Sequence, residues 1–364
     1  MEYVQERITT LHDFGGADPA APTDRATVVV PMAERDHASL AAERVFSTLE
    51  SVDPAQVLVA LRADPDHVGQ VRTWLDGFDL TVEILWCDAP PLVEGIDDAG
   101  LNGQRGKGRD VWLALGVAAD RSEFVVVHDA DATSYAATHV PRLLFPLASG
   151  FAFSKGYYAR VENNRLYGRL NRLFYVPLVR TLAETHDADI LEYLGAFRYA
   201  LAGEFAMTAD LARAVRAPRT WGLEVGTLGG AFEHAGFAGT AQVDLGRHEH
   251  DHRSVSGPAG LGEMCRSVGN ALWRVLADAG VDVDFETLPE RYRERAKILI
   301  EQYASDAAFN GMEYDRGGER EQVGTYAETI APPEPDTRLP TWSDAPMSAE
   351  RVLELSREGL AEQV

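Results

Sequence analysis

Short apolar runs that alternate with amphipathic segments constrain the fold of this chain more than any other feature. The first run is Thr27 to Val30, which we expect Pro31 to stop, and the stretches AQVLVALRAD, LTVEILWCD and EFVVVHDADATSY supply three more. Helical patterns lie between these runs. Strands that alternate with helices indicate βαβ units and a mostly parallel sheet, so the predicted fold class is α/β.

The charge balance argues against two kinds of partner. The chain has 57 acidic side chains but 34 lysines and arginines, which gives a formal charge of −23. Such a surface repels nucleic acid and anionic membranes. Lysine occurs only at Lys107, Lys155 and Lys297. An acidic, lysine-poor surface stays hydrated in concentrated salt, which favours a halophilic cytoplasm; an ordinary acidic bias is the alternative.

The cysteines and the apolar segments bound the cellular context. Cys87 and Cys265 are too few for a disulfide framework or a thiolate metal site, so we expect both in the core. No segment reaches about 18 consecutive apolar residues, and the N-terminus lacks a basic start followed by an apolar run. The sequence therefore predicts no integral membrane segment and a cytoplasmic location.

Composition and pattern divide the chain into four predicted regions. We expect a polar leader over 1–26, a catalytic α/β domain over 27–257 and a helical C-terminal region over 258–330. The remainder, 331–364, combines a Pro-rich linker with a terminal helix capped by Ser348.

The motif HDAD ends the fourth apolar run. Asp129 and Asp131 are one residue apart at a strand end, so both carboxylates reach the same small volume. Mg²⁺ and Mn²⁺ prefer oxygen ligands and accept substrate phosphates in the remaining positions, and ligands of open α/β sheets gather at the carboxyl ends of strands. The pair suits a metal diphosphate; a solvated acidic turn is the alternative.

Upstream, the stretch NGQRGKGRD concentrates positive charge among glycines. Gly103, Gly106 and Gly108 permit close backbone approach, Arg105 and Lys107 supply charge, and the following helix start offers free N–H groups. The spacing is neither that of a Walker A loop nor GxGxxG. Together with Asp-Ala-Asp, the loop predicts a nucleotide diphosphate held between loop and metal.

Histidines alternate in VDLGRHEHDHRS. His248, His250 and His252 would project to one side of an extended segment. They would bind zinc, or one of them would complete the metal shell of Asp131. A polar surface strand is the third possibility.

Two further motifs offer anion-binding and carboxylate groups. In NNRLYGRLNR, a helix would place Arg165, Arg169 and Arg172 on one face, where they would receive a second anionic substrate or pair with surface acids. Glu204 and Glu224 lie among apolar residues, where they would hold sugar hydroxyls, act as a base or cap helices.

These motifs in this order resemble family-2-type glycosyltransferases of the GT-A fold, most of all the glucosyl-3-phosphoglycerate synthases, with the mannosyl-3-phosphoglycerate synthases more distant. The resemblance runs from about Val28 to Arg253 and rests on GQRGKG, DAD, KGYYARV, YGRLNRL, LAGEFAMT, WGLEVG and HEHDHR. It implies a Rossmann-like, mostly parallel sheet flanked by helices, followed by a helical C-terminal extension. It also implies a possible homodimer.

The resemblance assigns roles to individual residues. It implies donor contacts by Pro31, Glu34, Gly106, Lys107 and Asp129. It implies a divalent metal, Mg²⁺ or Mn²⁺, on Asp131 and His250, and acceptor contacts by Gly168, Arg169, Asn171 and Arg253. Lys107, Asp131 and Glu224 would serve catalysis.

Together with the motifs, this resemblance implies a metal-dependent retaining glycosyltransferase. It would move a hexose from a nucleotide sugar, with UDP-glucose preferred, to 3-phosphoglycerate or a similar small acid, as a route to a compatible solute. The alternatives are a GT-A enzyme acting on a lipid phosphate or another acceptor, and a nucleotide-sugar binding protein without catalysis.

Overall fold

The computed structural model describes residues 5–249 and 258–363, with side chains from 262 onward in the second part. A sheet of nine strands runs through this part of the chain in the order β1-β9-β6-β8-β5-β2-β3-β4, and β7 pairs with β6. The strands are β1 Thr9–Leu11, β2 Ala26–Ala33, β3 Gln56–Arg62, β4 Val82–Trp86, β5 Phe124–Val127, β6 Phe153–Glu162, β7 Arg165–Leu166, β8 Phe205–Thr208 and β9 Thr240–His248. Strand β8 runs antiparallel to β5 and β6, and β7 runs antiparallel to β6. The other pairings are parallel, so the predicted mostly parallel α/β sheet is confirmed.

Helices pack on the sheet and extend beyond it. The α-helices are α1 Leu40–Val52, α2 Pro65–Leu75, α3 Pro90–Asp98, α4 Lys107–Ala119, α5 His139–Ala148, α6 Val176–Ala183, α7 Asp189–Gly195, α8 Ala209–Ala214, α9 Leu223–His234, α10 Pro258–Asp278, α11 Leu288–Phe309, α12 Arg316–Ala327 and α13 Ala349–Ala361. A π-helix spans Leu170–Tyr175, and 3-10 turns span Thr23–Arg25, Glu34–Asp36 and Trp342–Asp344. One large apolar cluster contains side chains from the sheet and from helices in both the N-terminal and the C-terminal half of the sequence. It includes Cys87 and Cys265.

The first strand does not stop at Pro31, contrary to the prediction. Strand β2 continues to Ala33, because it stays paired with β3 up to that residue. Its pairing with β5 ends earlier, at Val29. His128 N–H donates to the Val29 carbonyl, which places Val29 on the β5 side. Backbone groups alternate sides along a strand, so the missing N–H of Pro31 falls on the side where β5 has already ended.

The prediction of an arginine-bearing helix is also wrong for the first residues of that segment. Asn163 and Asn164 adopt positive φ angles of 46° and 58°, which make a tight turn between β6 and β7. Arg165 therefore lies on β7, and helical structure begins only after Gly168. The three arginines do not share one helical face.

A third departure concerns Met207 to Val215, whose residue pattern favours a helix when the sequence is read alone. Residues up to Thr208 form β8, the buried strand between β5 and β6, and α8 follows. Strand β8 is four residues long, and so short an apolar run has no periodicity that separates strand from helix.

Segments near both ends of the described chain pack against the sheet and its helices. Residues 9–11 of the predicted leader pair with β9 at the sheet edge. In the predicted Pro-rich linker, the Trp342 ring stacks on Trp112 of α4 at 4.1 Å, and each indole N–H donates to a carbonyl of the opposing segment. Ser348 caps α13 as predicted, through a hydrogen bond from Arg351 N–H.

Candidate active site

The centre of the candidate site is a lysine between two carboxylates. Lys107 opens α4, Asp129 follows β5, and Glu224 lies in the first turn of α9. Lys107 Nζ lies 2.6 Å from Asp129 Oδ1 and 3.3 Å from Glu224 Oε1. Three elements far apart in sequence thus bring together three residues that the sequence motifs single out.

The electrostatics of this cluster keep the lysine charged. Burial lowers the pKa of Lys107, but the Asp129 and Glu224 carboxylates raise it well above its ordinary value. Lys107 is therefore an ammonium group at any physiological pH. It can donate to an incoming anion without first gaining a proton.

The glycine loop around Lys107 packs against the segment that precedes α9. A Cβ on Gly106 would come within 2.8 Å of the Thr220 side chain, and one on Gly108 would come within 1.9 Å of the Pro218 carbonyl oxygen. Arg109 N–H donates to the Arg219 carbonyl at 2.8 Å. Glycine is thus required for this close approach, which also sets the distance between Lys107 and Glu224.

Buried charged side chains also attach the first turn of α4 to the ends of β3 and β4. Asp110 is 2% exposed and accepts hydrogen bonds from Arg62 at the end of β3. Arg109 donates to the Cys87 carbonyl at 2.7 Å and to Asp88 at 3.0 Å. Because α4 is tied to two neighbouring strands, the N–H groups at its start have a defined direction.

A group of carboxylates occupies the carboxyl ends of β2 and β5. Burial raises the pKa of Asp36, and the negative charges of Asp131 and Asp129 raise it further. Gly203 lies against Asp129, since a Cβ there would come within 2.3 Å of Asp129 Oδ2. Concentrated negative charge of this kind is the environment that a divalent cation requires.

Two predicted donor residues flank this group. Pro31 lies in β2, and Glu34 begins the 3-10 turn directly after β2. Glu34 accepts a hydrogen bond from Asp64 N–H at 2.7 Å and lies 3.1 Å from His67 Nδ1. The Asp64 N–H donor, followed by His67, lowers the pKa of Glu34, so the side chain is an anchored carboxylate.

Lys155 is a buried charged residue near the candidate site, and the sequence analysis assigns it no role. It lies in β6 and is fully buried, and its Nζ donates to the Ala202 carbonyl at 2.5 Å. Burial lowers its pKa to about 8, although the charges of Glu224 and Glu204 oppose that shift. The stretch FAFSKGYYARV contained the signal: a lysine within a segment rich in aromatic residues, in a chain with only three lysines.

Glu204 lies beneath the same region. Its side chain is 1% exposed, and its Oε1 lies 3.8 Å from His248 Nε2. The His248 ring stacks on Tyr158 at 4.0 Å, and Tyr158 contacts Tyr199 at 4.8 Å. His248 is therefore part of a buried aromatic stack, while His250, His252 and Arg253 lie outside the described residues.

The predicted acceptor segment follows this stack. Gly168 has φ +75°, and a Cβ there would come within 2.3 Å of the Tyr199 hydroxyl. Arg169 is the next residue and keeps 45% of its side chain exposed. Asn171 is buried, and its Oδ1 accepts no hydrogen bond from the described part of the chain.

A helix of the C-terminal region reaches this segment. Glu319 of α12 accepts two hydrogen bonds from Arg172, at 2.8 and 3.1 Å. It also lies 3.5 Å from Arg169 Nε. Arg165 instead pairs with exposed Glu313, so the arginine stripe predicted from sequence divides between two different environments.

Solved structures identify the class of protein that this fold and site define. The fold is similar to that of glucosyl-3-phosphoglycerate synthase from Mycobacterium tuberculosis, solved in complex with Mn²⁺, UDP-glucose and phosphoglyceric acid. The TM-score is 0.57 over 76% of this chain and 89% of the other, at 22% identity. The same enzyme with Mg²⁺ and UDP gives a TM-score of 0.57 at 24% identity, over 76% and 88% of the two chains. The fold is therefore that of the GT-A glycosyltransferases.

Sequence relatives narrow this class to one family. No family model matches the chain. It is 33% identical to glucosyl-3-phosphoglycerate synthase of Methanococcoides burtonii, over 95% of this chain and 94% of the relative. It is 37% identical to that of Persephonella marina, over 75% and 72%. The chain belongs to the glucosyl-3-phosphoglycerate synthase family of hexosyltransferases, as its motifs predict.

Within the described ranges 5–249 and 258–363, no helix has the length and apolar character needed to cross a bilayer.

Proposed function

We propose that this protein transfers glucose from UDP-glucose to 3-phosphoglycerate with retention at the anomeric carbon. The observation that carries the proposal is the placement of Lys107 between Asp129 and Glu224. A permanently charged ammonium group at a helix start, beside a glycine loop, suits the diphosphate of a nucleotide sugar. The name of the sequence relatives, glucosyl-3-phosphoglycerate synthase, supports glucose and 3-phosphoglycerate, and the similar structure solved with UDP-glucose supports the donor.

The donor would lie along the carboxyl ends of β2 and β5. We assign Pro31 and Glu34 to the nucleoside, and Gly106 and Lys107 to the diphosphate. The two carboxylates of the Asp-Ala-Asp motif would face the diphosphate from the other side. Lys107 would then exchange part of its ion pair with Asp129 for hydrogen bonds to phosphate oxygens.

A divalent cation, Mg²⁺ or Mn²⁺, fits the carboxylate group at this edge. Asp131 would be a direct ligand and Asp129 a close neighbour. Asp36 belongs to the same group, since its pKa is raised by burial and, to a smaller extent, by the negative charges of Asp131 and Asp129. His250, outside the described residues, would complete the protein ligands. When bound, the ion supplies charge neutralisation on the leaving diphosphate.

Lys107 would stabilise the same developing charge by direct hydrogen bonding. Preorganised donors of this kind are among the largest contributions to catalysis, because they are already aimed at the site where charge appears. Glu224 would orient both Lys107 and the sugar hydroxyls. In the proposed retaining step, the acceptor hydroxyl attacks C1 from the face that the diphosphate leaves, and its proton passes to a diphosphate oxygen.

The acceptor would lie at the turn that begins with Gly168. Arg169 presents a half-exposed guanidinium, whose planar fork suits a phosphate or carboxylate. We propose Asn171 and Arg253 as further acceptor contacts; Asn171 would need to turn from its buried position to reach an acceptor. Holding both substrates at one edge of the sheet supplies the orientation that transfer requires.

A matrix of donors and acceptors tests the proposal. UDP-glucose, GDP-glucose and GDP-mannose are each offered with 3-phosphoglycerate, 2-phosphoglycerate and glycerate, with Mg²⁺, Mn²⁺ or EDTA. We expect turnover with UDP-glucose and 3-phosphoglycerate, loss of turnover in EDTA, and an α-anomeric product by NMR. Preference for another donor or acceptor, or a β-anomeric product, would contradict the corresponding part of the proposal.

The acidic surface sets the conditions for this assay. A net charge of −23 with only three lysines supports a salt-rich cytoplasm as the working environment. We therefore expect activity to persist at molar KCl and to fall at low salt, where like charges repel one another over longer distances.

A further inference from the structure

We infer that Glu319 in α12 is a positioning residue for the acceptor: it holds Arg169 by its Nε, so that the terminal guanidinium nitrogens face an anionic acceptor. The inference rests on the proposed function, because that proposal places the acceptor at Arg169. It gives the C-terminal helices a part in the reaction.

The contact between Glu319 and Arg169 is asymmetric. Glu319 Oε1 lies 3.5 Å from Arg169 Nε, and the carboxylate is 4% exposed while the Arg169 side chain is 45% exposed. Among the described residues, the terminal nitrogens of Arg169 have no hydrogen-bond partner. The buried Glu319 carboxylate thus restrains the Nε of Arg169 and leaves the two terminal nitrogens of the guanidinium available to an acceptor.

Glu319 is itself held in place by three contacts. Arg172 donates to both of its oxygens, at 2.8 and 3.1 Å, and the Tyr314 hydroxyl donates to Oε2. Arg172 is anchored in turn by a hydrogen bond to the Tyr167 carbonyl at 2.9 Å and by the Tyr303 ring beneath it at 4.7 Å. The direction of the carboxylate toward Arg169 is therefore set by packing.

The charge balance also suits an anion. Two guanidinium groups share one carboxylate, so the cluster of Arg169, Arg172 and Glu319 carries one net positive charge. Removing the carboxylate would add positive charge but would release a long, half-exposed side chain. Ordering that side chain at each binding event costs conformational entropy, and we expect this cost to outweigh the gain in charge.

The connection that leads into α12 has docking contacts that do not involve Glu319. Glu313 N–H donates to the Asn164 carbonyl at 3.0 Å, and the Asn164 side chain donates to the Gly311 carbonyl at 3.1 Å. These contacts dock the α11–α12 connection onto the β6–β7 hairpin. A variant that only neutralises Glu319 should therefore retain this docking.

The test is the steady-state kinetics of Glu319→Gln with UDP-glucose and 3-phosphoglycerate. We expect the KM for phosphoglycerate to rise about tenfold, the effect of losing one charge-assisted contact. The KM for UDP-glucose and kcat should be unchanged. Tyr314→Phe, which removes one support of the carboxylate, should move the same KM in the same direction by a smaller factor, and it decides the question if Glu319→Gln does not fold.

Glu301→Gln is the matched control. Glu301 of α11 also pairs with two arginines, Arg316 and Arg320, but its side chain is 53% exposed on the outer surface. This variant should behave as the wild type. An equal loss for donor and acceptor in Glu319→Gln, or a lower phosphoglycerate KM, would overturn the inference alone. A wild-type protein that neither binds nor glucosylates phosphoglycerate would overturn the proposed acceptor and the inference together.

Discussion

Lys107 Nζ lies 2.6 Å from Asp129 Oδ1, although one residue begins a helix and the other follows a neighbouring strand. The pair forms because β5 and the glycine loop end at the same edge of the sheet. An ion pair at this edge, with both side chains about one-fifth exposed, is open to exchange with a phosphate. The first prediction tests this exchange.

Lys107→Met should reduce kcat/KM for UDP-glucose by about 10²- to 10³-fold, the range found when one preorganised donor to a developing anion is removed. Lys297→Met is the control, because Lys297 is exposed and pairs with Glu294 on α11. Initial rates at several donor concentrations measure both. Equal activity of the two variants would remove Lys107 from the proposed mechanism.

Arg169→Ala should raise the KM for phosphoglycerate far more than the KM for UDP-glucose, by about tenfold or more if a charge-assisted contact is lost. Arg165→Ala provides the comparison, since Arg165 lies on β7 and pairs with the exposed Glu313. Isothermal titration with phosphoglycerate in the presence of UDP gives an independent measure of acceptor affinity. Parallel loss of donor and acceptor affinity would contradict the acceptor assignment.

The sequence predicted the half of the site that lies at strand ends. Strands β2 and β5 are continuous apolar runs, so their ends could be located, and Asp129 lies two residues after the end of β5. The glycine loop was predicted because Gly106 and Lys107 combine close approach with charge. The structure brings Lys107 to Asp129 and Glu224. That the glycine loop and the Asp-Ala-Asp motif hold one ligand stays a prediction.

The other half depends on contacts between residues that are distant in sequence. Glu319 lies 147 residues from Arg172, and no local periodicity predicts that pair. The positive φ angles at Asn163 and Asn164 place a hairpin where the spacing of arginines favoured a helix. Lys155 was overlooked because a lysine in a buried strand is unusual, and only its partners reveal why the charge is tolerated.

The Trp112–Trp342 stack connects the end of the chain to the helix that begins at Lys107. Trp342→Ala should lower the free energy of unfolding by about 2–4 kcal/mol, because it removes a half-buried ring and leaves a cavity over Gly116. Trp342→Phe keeps most of the ring and loses the indole N–H donor, so its cost should be about 1 kcal/mol.

Urea denaturation followed by tryptophan fluorescence and circular dichroism measures these differences. Phe309→Ala serves as the control, because Phe309 is 90% exposed at the end of α11 and its truncation should leave stability unchanged. If Trp342→Ala were as stable as Phe309→Ala, the C-terminal segment would contribute nothing to the anchoring of α4.

Stability should also depend on pH through His139. Burial lowers the pKa of His139 from its ordinary 6.5 to about 4, so between these values the unfolded chain binds a proton that the folded chain does not. The stabilisation is complete above pH 6.5 and falls as the pH drops toward 4, by up to about 3 kcal/mol. His139→Gln should therefore lose less stability between pH 7 and pH 5 than the wild type, whereas His234→Gln, at an exposed position on α9, should follow the wild type. Urea denaturation at both pH values, in constant KCl, measures the change, and identical pH dependence of wild type and His139→Gln would rule out His139 as its source.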